Sequence, residues 1–210
     1  MSDPTEPGAG GRSLLREWGP RAVFESALIV FSIVLALTIN NCVADLQMQA
    51  RVKEARAFFI QEIQANRATV ISDDFLPYHR RVLSTLASID PSRPMTGAET
   101  TAALSIFHTG IHFAPLRDVV WRSFSSSDLL AHMPPRLVFA LNDAYQAQEQ
   151  LQATTVSFYP QLSQIPGALA RGGDARAPLA SLDVFMGDLV ATESNLPARY
   201  DRALAELEKN

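Results

Sequence analysis

Residues 22–44, AVFESALIVFSIVLALTINNCVA, constrain this chain more than any other stretch. Positions 26–39 carry no charge and are mostly Ala, Leu, Ile, Val and Phe. As a helix the stretch rises roughly 35 Å, and a bilayer's hydrocarbon core is about 30 Å thick. Apolar side chains run all round such a helix, which argues against a one-sided core helix of a soluble protein. Glu25 sits near its start, and Asn40 and Asn41 near its end. The expectation is a single membrane-spanning helix over 20–44, with the lipid bilayer as its first partner.

The spacing Cys42-x-Ala44 also suits signal peptidase. A leader ending there would be unusually long, with a neutral start and an acid in its apolar half. The run is therefore read as an uncleaved anchor. Cys42 is the only cysteine of 210 residues, so no intrachain disulfide forms. The residues before it lack the small side chains of a lipobox, which leaves Cys42 as a small side chain at the membrane edge.

Residues 1–19 combine Pro, Gly and charges, and are read as a disordered tail followed by an interfacial turn around Leu14, Leu15 and Trp18. Gly19-Pro20 interrupts, and proline suits the first turn of a new helix. Arg12, Arg16 and Arg21 precede the span and Arg51, Lys53 and Arg56 follow it; Arg21 borders its apolar run, whereas Asp45 comes first on the other side, which orients the N-terminus to the cytoplasm.

Positions 45–210 are expected to form a soluble helical domain. No turn signal occurs before Asp73-Asp74 and Pro77, so the span should continue as an amphipathic helix. From 20 to 72 that is one rod of roughly 80 Å. Val52, Phe59, Ile63, Asn66 and Val70 mark its apolar face, with Glu54 and Glu62 read as exposed. Further helices are expected over 75–88, from Thr96 or Gly97 to 107, from an Asp118 cap over VVWRSF, in a turn starting at Ser127 or Asp128, from Pro134-Pro135 to 165, and from Pro178 towards 209. Leu137, Leu141, Ala144, Tyr145, Leu151, Phe158, Leu162 and Ile165 make one stripe. Leu182, Phe185, Leu189, Leu196, Tyr200, Leu204 and Leu207 make another. Pro160 is expected to kink its helix, Pro197 to bend or break its own, and 166–178 to be a loop. The fold class is all-α: an N-terminal transmembrane helix continuing into a periplasmic antiparallel helical bundle.

Net charge is −4, and −3 from Asp45 onward, so no basic field calls for nucleic acid. Glu25, Ser32, Ala36 and Asn40 lie at offsets that keep them within about 80° on one helix face. Such a stripe suits helix–helix contact in a membrane, with a second copy or a larger membrane protein as partner. Asp118, Trp121 and Arg122 are a candidate ligand or partner contact, although Asp118 also reads as a helix cap and Trp121 as core. His108 and His112 have the i, i+4 spacing of metal ligands, but Gly110 lies between them and no carboxylate is near; no metal and no cofactor is assigned. The serines at 123 and 125–127 lack a nucleophile-elbow context, and Gly172-Gly173 lacks a phosphate-loop continuation. Asp183 and Asp188 read as a solvated face. No catalytic residue is assigned.

The run Glu25-Ser26-Ala27-Leu28-Ile29-Val30-Phe31-Ser32, with Leu35-Ala36-Leu37 and Asn40, resembles the N-terminal anchor of a group of small uncharacterised bacterial single-span membrane proteins. Where that group carries Asn-Glu-Trp, this chain has Asn40-Asn41-Cys42. Trp121, the serines of 123–127, Leu129 and Tyr145 are similar to a second pattern of the group. The resemblance implies an inner-membrane protein with a helical periplasmic domain, and no reaction. The functional expectation is a membrane-anchored, non-enzymatic interaction or accessory protein of the bacterial envelope. The alternative is a periplasmic ligand-binding sensory module acting through a membrane partner.

Overall fold

The computed structural model describes residues 11–90, 92–162, 165–170 and 176–209; for 11–22 and for 109, 161 and 168–170 only the backbone path is described. Every regular element among them is helical. The expectations for 1–10 and for 171–175 lie outside the described residues.

Helix α1 runs Gly11–Ile71. It starts upstream of the Pro20 boundary read from the sequence and passes through Gly19-Pro20 unbroken. Its apolar run is long and hydrophobic enough to cross a membrane, with mean hydropathy 2.2 over the richest window and none of that window buried. Ser32 and Thr38 return their hydroxyls to the carbonyls of Leu28 and Val34, both at 2.8 Å. That spends two donors inside the helix.

The chain divides into two compact units, 1–50 and 51–210. The second holds the core. It contains the C-terminal part of α1, α2 (Leu76–Ala87), α3 (Gly97–Thr109), α4 (Val119–Phe124), a 3-10 turn (Asp128–His132), α5 (Pro135–Leu162), α6 (Ile165–Ala170) and α7 (Arg176–Leu207). Part of the expected 166–178 loop is thus helix α6. Pro160 and Pro197 are carried inside α5 and α7, and neither ends its helix.

Cross-helix pairs give the directions. Tyr200 meets Gln148, Arg199 meets Asp143, and Phe158 stacks on Phe185 at 3.9 Å, so α5 and α7 run antiparallel. Glu62 meets Tyr145 and Asn66 meets Gln148, so α1 runs parallel to α5. Arg56 donates to the Leu207 and Lys209 carbonyls, satisfying orphan acceptors at the end of α7. Phe59, Ile63, Leu141, Leu182, Leu189, Leu196 and Tyr200 are fully buried. Phe59 anchors an aromatic cluster with Tyr145, Trp121 and Phe124 at 5.8–6.5 Å.

Helix α3 opens on a complete capping box. Thr96 Oγ1 accepts from the Glu99 amide, and the Glu99 carboxylate accepts from the Thr96 amide at 2.7 Å. Arg93 grips the same carboxylate with two bonds of 2.7 and 2.9 Å. These Arg93 bonds, then those from Thr96, pull the Glu99 carboxyl down to about 2. A depressed carboxylate stabilises the fold fully above its unfolded value of about 4.3, and that contribution is lost as pH falls through the folded value. The Glu99 carboxyl carbon, followed by NMR, should therefore titrate with a midpoint near 2. A midpoint at the ordinary glutamate position would refute the box-plus-Arg93 arrangement.

Candidate functional site

The second unit's polar chemistry is gathered around one extended segment, 111–118, which follows α3. Gly110 turns the chain into it with φ +82° and ψ 158°, a combination open almost only to glycine. A segment without helix or strand must find partners for its backbone elsewhere. Here the surrounding helices supply them through side chains. Tyr78 donates to the Gly110 carbonyl at 2.5 Å, and His79 Nε2 donates to the His112 carbonyl at 2.8 Å. Gln152 donates to the Leu116 carbonyl at 3.1 Å. Asn66 then treats Arg117 as a ladder partner: Oδ1 accepts from its amide at 2.8 Å and Nδ2 donates to its carbonyl at 2.6 Å. Gln148 adds a second donor to that carbonyl and accepts from Tyr200 Oη, both at 2.8 Å.

Glu62 completes the set. The sequence reading put it on an exposed face; it is in fact only 6% exposed. Its carboxylate accepts from Tyr145 Oη at 2.7 Å and from the Val120 amide at 3.1 Å. Val120 is the second residue of α4, so Glu62 reaches across from α1 to cap that helix. Asp118, the expected cap, makes no side-chain cap bond. Burial, then the bond to Glu62, pushes the Tyr145 phenol well above its ordinary value; burial, then the charge of Glu62, does the same for Tyr200. Both stay neutral donors.

His79 and Glu193 form a second buried pair, with Nδ1 2.8 Å from the nearer carboxylate oxygen and side chains 0% and 2% exposed. The His112 carbonyl only accepts, so Nε2 carries a hydrogen. One proton then lies between Nδ1 and the carboxylate. The pair is neutral as a unit, which makes its burial tolerable.

Glu193 also closes the inner wall of a pocket of about 480 Å³, lined by Phe113, Ala114, Leu151, Gln152, Thr155, Val156, Tyr159 and Pro160. Tyr159 and Phe113 continue into a neighbouring hollow of about 270 Å³. Val156 and Tyr159 are strongly exposed at the rim.

The residues singled out from the sequence fall elsewhere. Glu25, Ser32, Ala36 and Asn40 are all exposed along α1. Asp118 and Arg122 pair with each other at 2.6 Å, while the Trp121 ring stacks on Tyr145 at 5.2 Å. His108 is exposed, and His112 stacks on Tyr78 at 5.3 Å. Among the described residues no group of three His, Cys, Asp or Glu side chains could hold a metal. Asp183 is half-buried rather than solvated, and its Oδ1 has no partner among the described residues. The signal for the missed residues was present. Glu62, Gln148 and Glu193 occupy core positions of their stripes, and a polar residue on an apolar face calls for a partner.

No protein-family model matches this sequence, and no curated protein or solved structure matches it either.

Proposed function

We propose that this chain is a membrane-anchored, non-enzymatic interaction or accessory protein of the bacterial cell envelope. In this reading the 20–44 helix crosses the inner membrane, the N-terminus is cytoplasmic and the helical domain is periplasmic. The observation that carries it is the unburied apolar run of α1. Val23, Phe24, Leu28, Ile29, Val30 and Phe31 are each 56–70% exposed, and the pattern continues to Leu46. A continuous apolar surface of this length suits lipid and not water. The stripe of Glu25, Ser32, Ala36 and Asn40 is where a second copy or a larger membrane protein would bind. The non-enzymatic part is supported by how four of the domain's buried polar side chains are used: Glu62, Asn66, His79 and Gln148 hold backbone amides and carbonyls of 112–120.

Replacing Glu25 and Asn40 together by Leu should abolish co-purification of the membrane partner or the dimer, with the circular dichroism spectrum unchanged. An unaltered mass of the detergent-solubilised complex would sink the stripe. Alkaline phosphatase fused to the C-terminus should be active, and inactivity would overturn the periplasmic placement.

The pocket against Glu193 favours a second reading, a ligand-binding sensory module that acts through a membrane partner. Its volume falls within the range of about 300–1,000 Å³ common for small-molecule sites.

A further inference from the structure

We infer that the pocket between α5, α7 and the 111–118 segment binds an uncharged, mainly apolar molecule that carries a hydroxyl donor, and that Glu193 receives this donor. The inference rests on the second reading above, that the domain binds a ligand. Its basis is the hydrogen-bonding character of the wall.

Most of the lining is apolar: Phe113, Leu151, Val156 and the Tyr159 ring. Among the side-chain donors on the wall, Tyr159 belongs to the exposed rim, and the two on the α5 face below it each return a bond to the backbone. Thr155 returns its hydroxyl to the Leu151 carbonyl at 2.8 Å, and Gln152 turns its amide to the Leu116 carbonyl at 3.1 Å. Acceptors remain. A carboxylate has about four acceptor positions. Glu193 meets a single ring nitrogen, His79 Nδ1, at 2.8 and 3.0 Å from its two oxygens. A buried acceptor with open positions selects a ligand that donates to it.

The same wall discriminates by charge. The His79–Glu193 pair is already neutral, so a cationic ligand would add an uncompensated charge. An anionic ligand would likewise add an uncompensated charge in an apolar surround, with the carboxylate of the pair as its nearest neighbour. A long-chain alcohol satisfies all three conditions, and the fatty acid of equal length fails the last.

The test uses the full chain in lipid nanodiscs with two photoreactive probes, a diazirine-bearing dodecanol and the matching dodecanoate, and maps adducts by tandem mass spectrometry. Probe dissolved in the bilayer labels 23–46 and serves as the internal reference. Relative to it, dodecanol should label 113–114 and 151–160 at least tenfold more than dodecanoate does. Val156→Trp fills the rim from an exposed position, so it should fold normally by circular dichroism and reduce pocket labelling at least tenfold. Equal pocket labelling by the two probes overturns the donor assignment while leaving the ligand reading intact. Labelling confined to 23–46 with both probes overturns the inference and that reading together. Pocket labelling unchanged in Val156→Trp shows that the adducts arise elsewhere and overturns the assignment of this cavity.

Discussion

His79→Leu should lower the melting temperature of the full chain by roughly 10 °C, followed by circular dichroism in detergent. Removing the imidazole leaves the Glu193 carboxylate, 2% exposed, without its only described donor. It also strips the His112 carbonyl of the bond it accepts at 2.8 Å. Breaking a buried pair from one side costs about 3–5 kcal/mol, because the remaining charge must stay buried or take up a proton. For a protein of this size each kcal/mol moves the midpoint by about 2–4 °C. The double variant His79→Leu/Glu193→Leu should be more stable than the single one. It removes the charge as well, and loses only the bond to the His112 carbonyl, worth about 1 kcal/mol. A double variant that melts at or below the single variant would show that the cost is lost packing and not an orphaned carboxylate.

This pair shows where the sequence was readable. His79 lies on the buried face of α2 with Leu76, Val82 and Leu86, and Glu193 lies on that of α7 between Leu189 and Leu196. Helical period alone puts both side chains inside. The same holds for Glu62 beside Phe59 and Ile63, which its charge made easy to assign to solvent. The helices were legible because capping residues, prolines and apolar stripes recur at fixed intervals. The pairing was not, since 114 residues separate His79 from Glu193 and 83 separate Glu62 from Tyr145. Nothing local encodes such a contact.

Capping shows the same limit from the other side. Asp118 precedes VVWRSF in the right place, so propensity makes it the cap of α4. The structure gives that task to a carboxylate 58 residues earlier, Glu62, and leaves Asp118 to Arg122. A tertiary donor–acceptor pair outcompeted the local one because α4 packs its first turn against α1. The apolar run of α1 needed no such information: its length and its freedom from charge are local properties. So the stretch long and apolar enough to cross a membrane was readable at once. The pocket was not, because α5, α7 and a loop from far upstream build it jointly.

Asn66→Leu should be the second most costly single change, by about 3 kcal/mol, and its effect should be local before it is global. Leucine has the branching and heavy-atom count of asparagine, so no cavity opens. What disappears is the acceptor for the Arg117 amide at 2.8 Å and two donated bonds, to the Arg117 carbonyl and to Gln148. The carbonyl keeps Gln148 Nε2, and Gln148 Oε1 keeps the Tyr200 hydroxyl. Only the Arg117 N–H loses its described acceptor, and a buried donor left unmet costs about 1–3 kcal/mol beyond the bonds lost, each worth about 1. Amide exchange, read by mass spectrometry on the full chain, should speed up at least tenfold over 111–118, while the centres of α5 and α7 change less. Asn66→Asp adds a sign. An aspartate there faces the Arg117 carbonyl and the Gln148 oxygen, both acceptors, so burial favours its protonated form and raises its folded value above about 3.9. A raised acid stabilises below its unfolded value and loses that contribution as pH rises. Asn66→Asp should therefore fall further below wild type at pH 8 than at pH 4. Equal destabilisation at the two pH values would mean that position 66 is open to water and that asparagine there does not pin the segment.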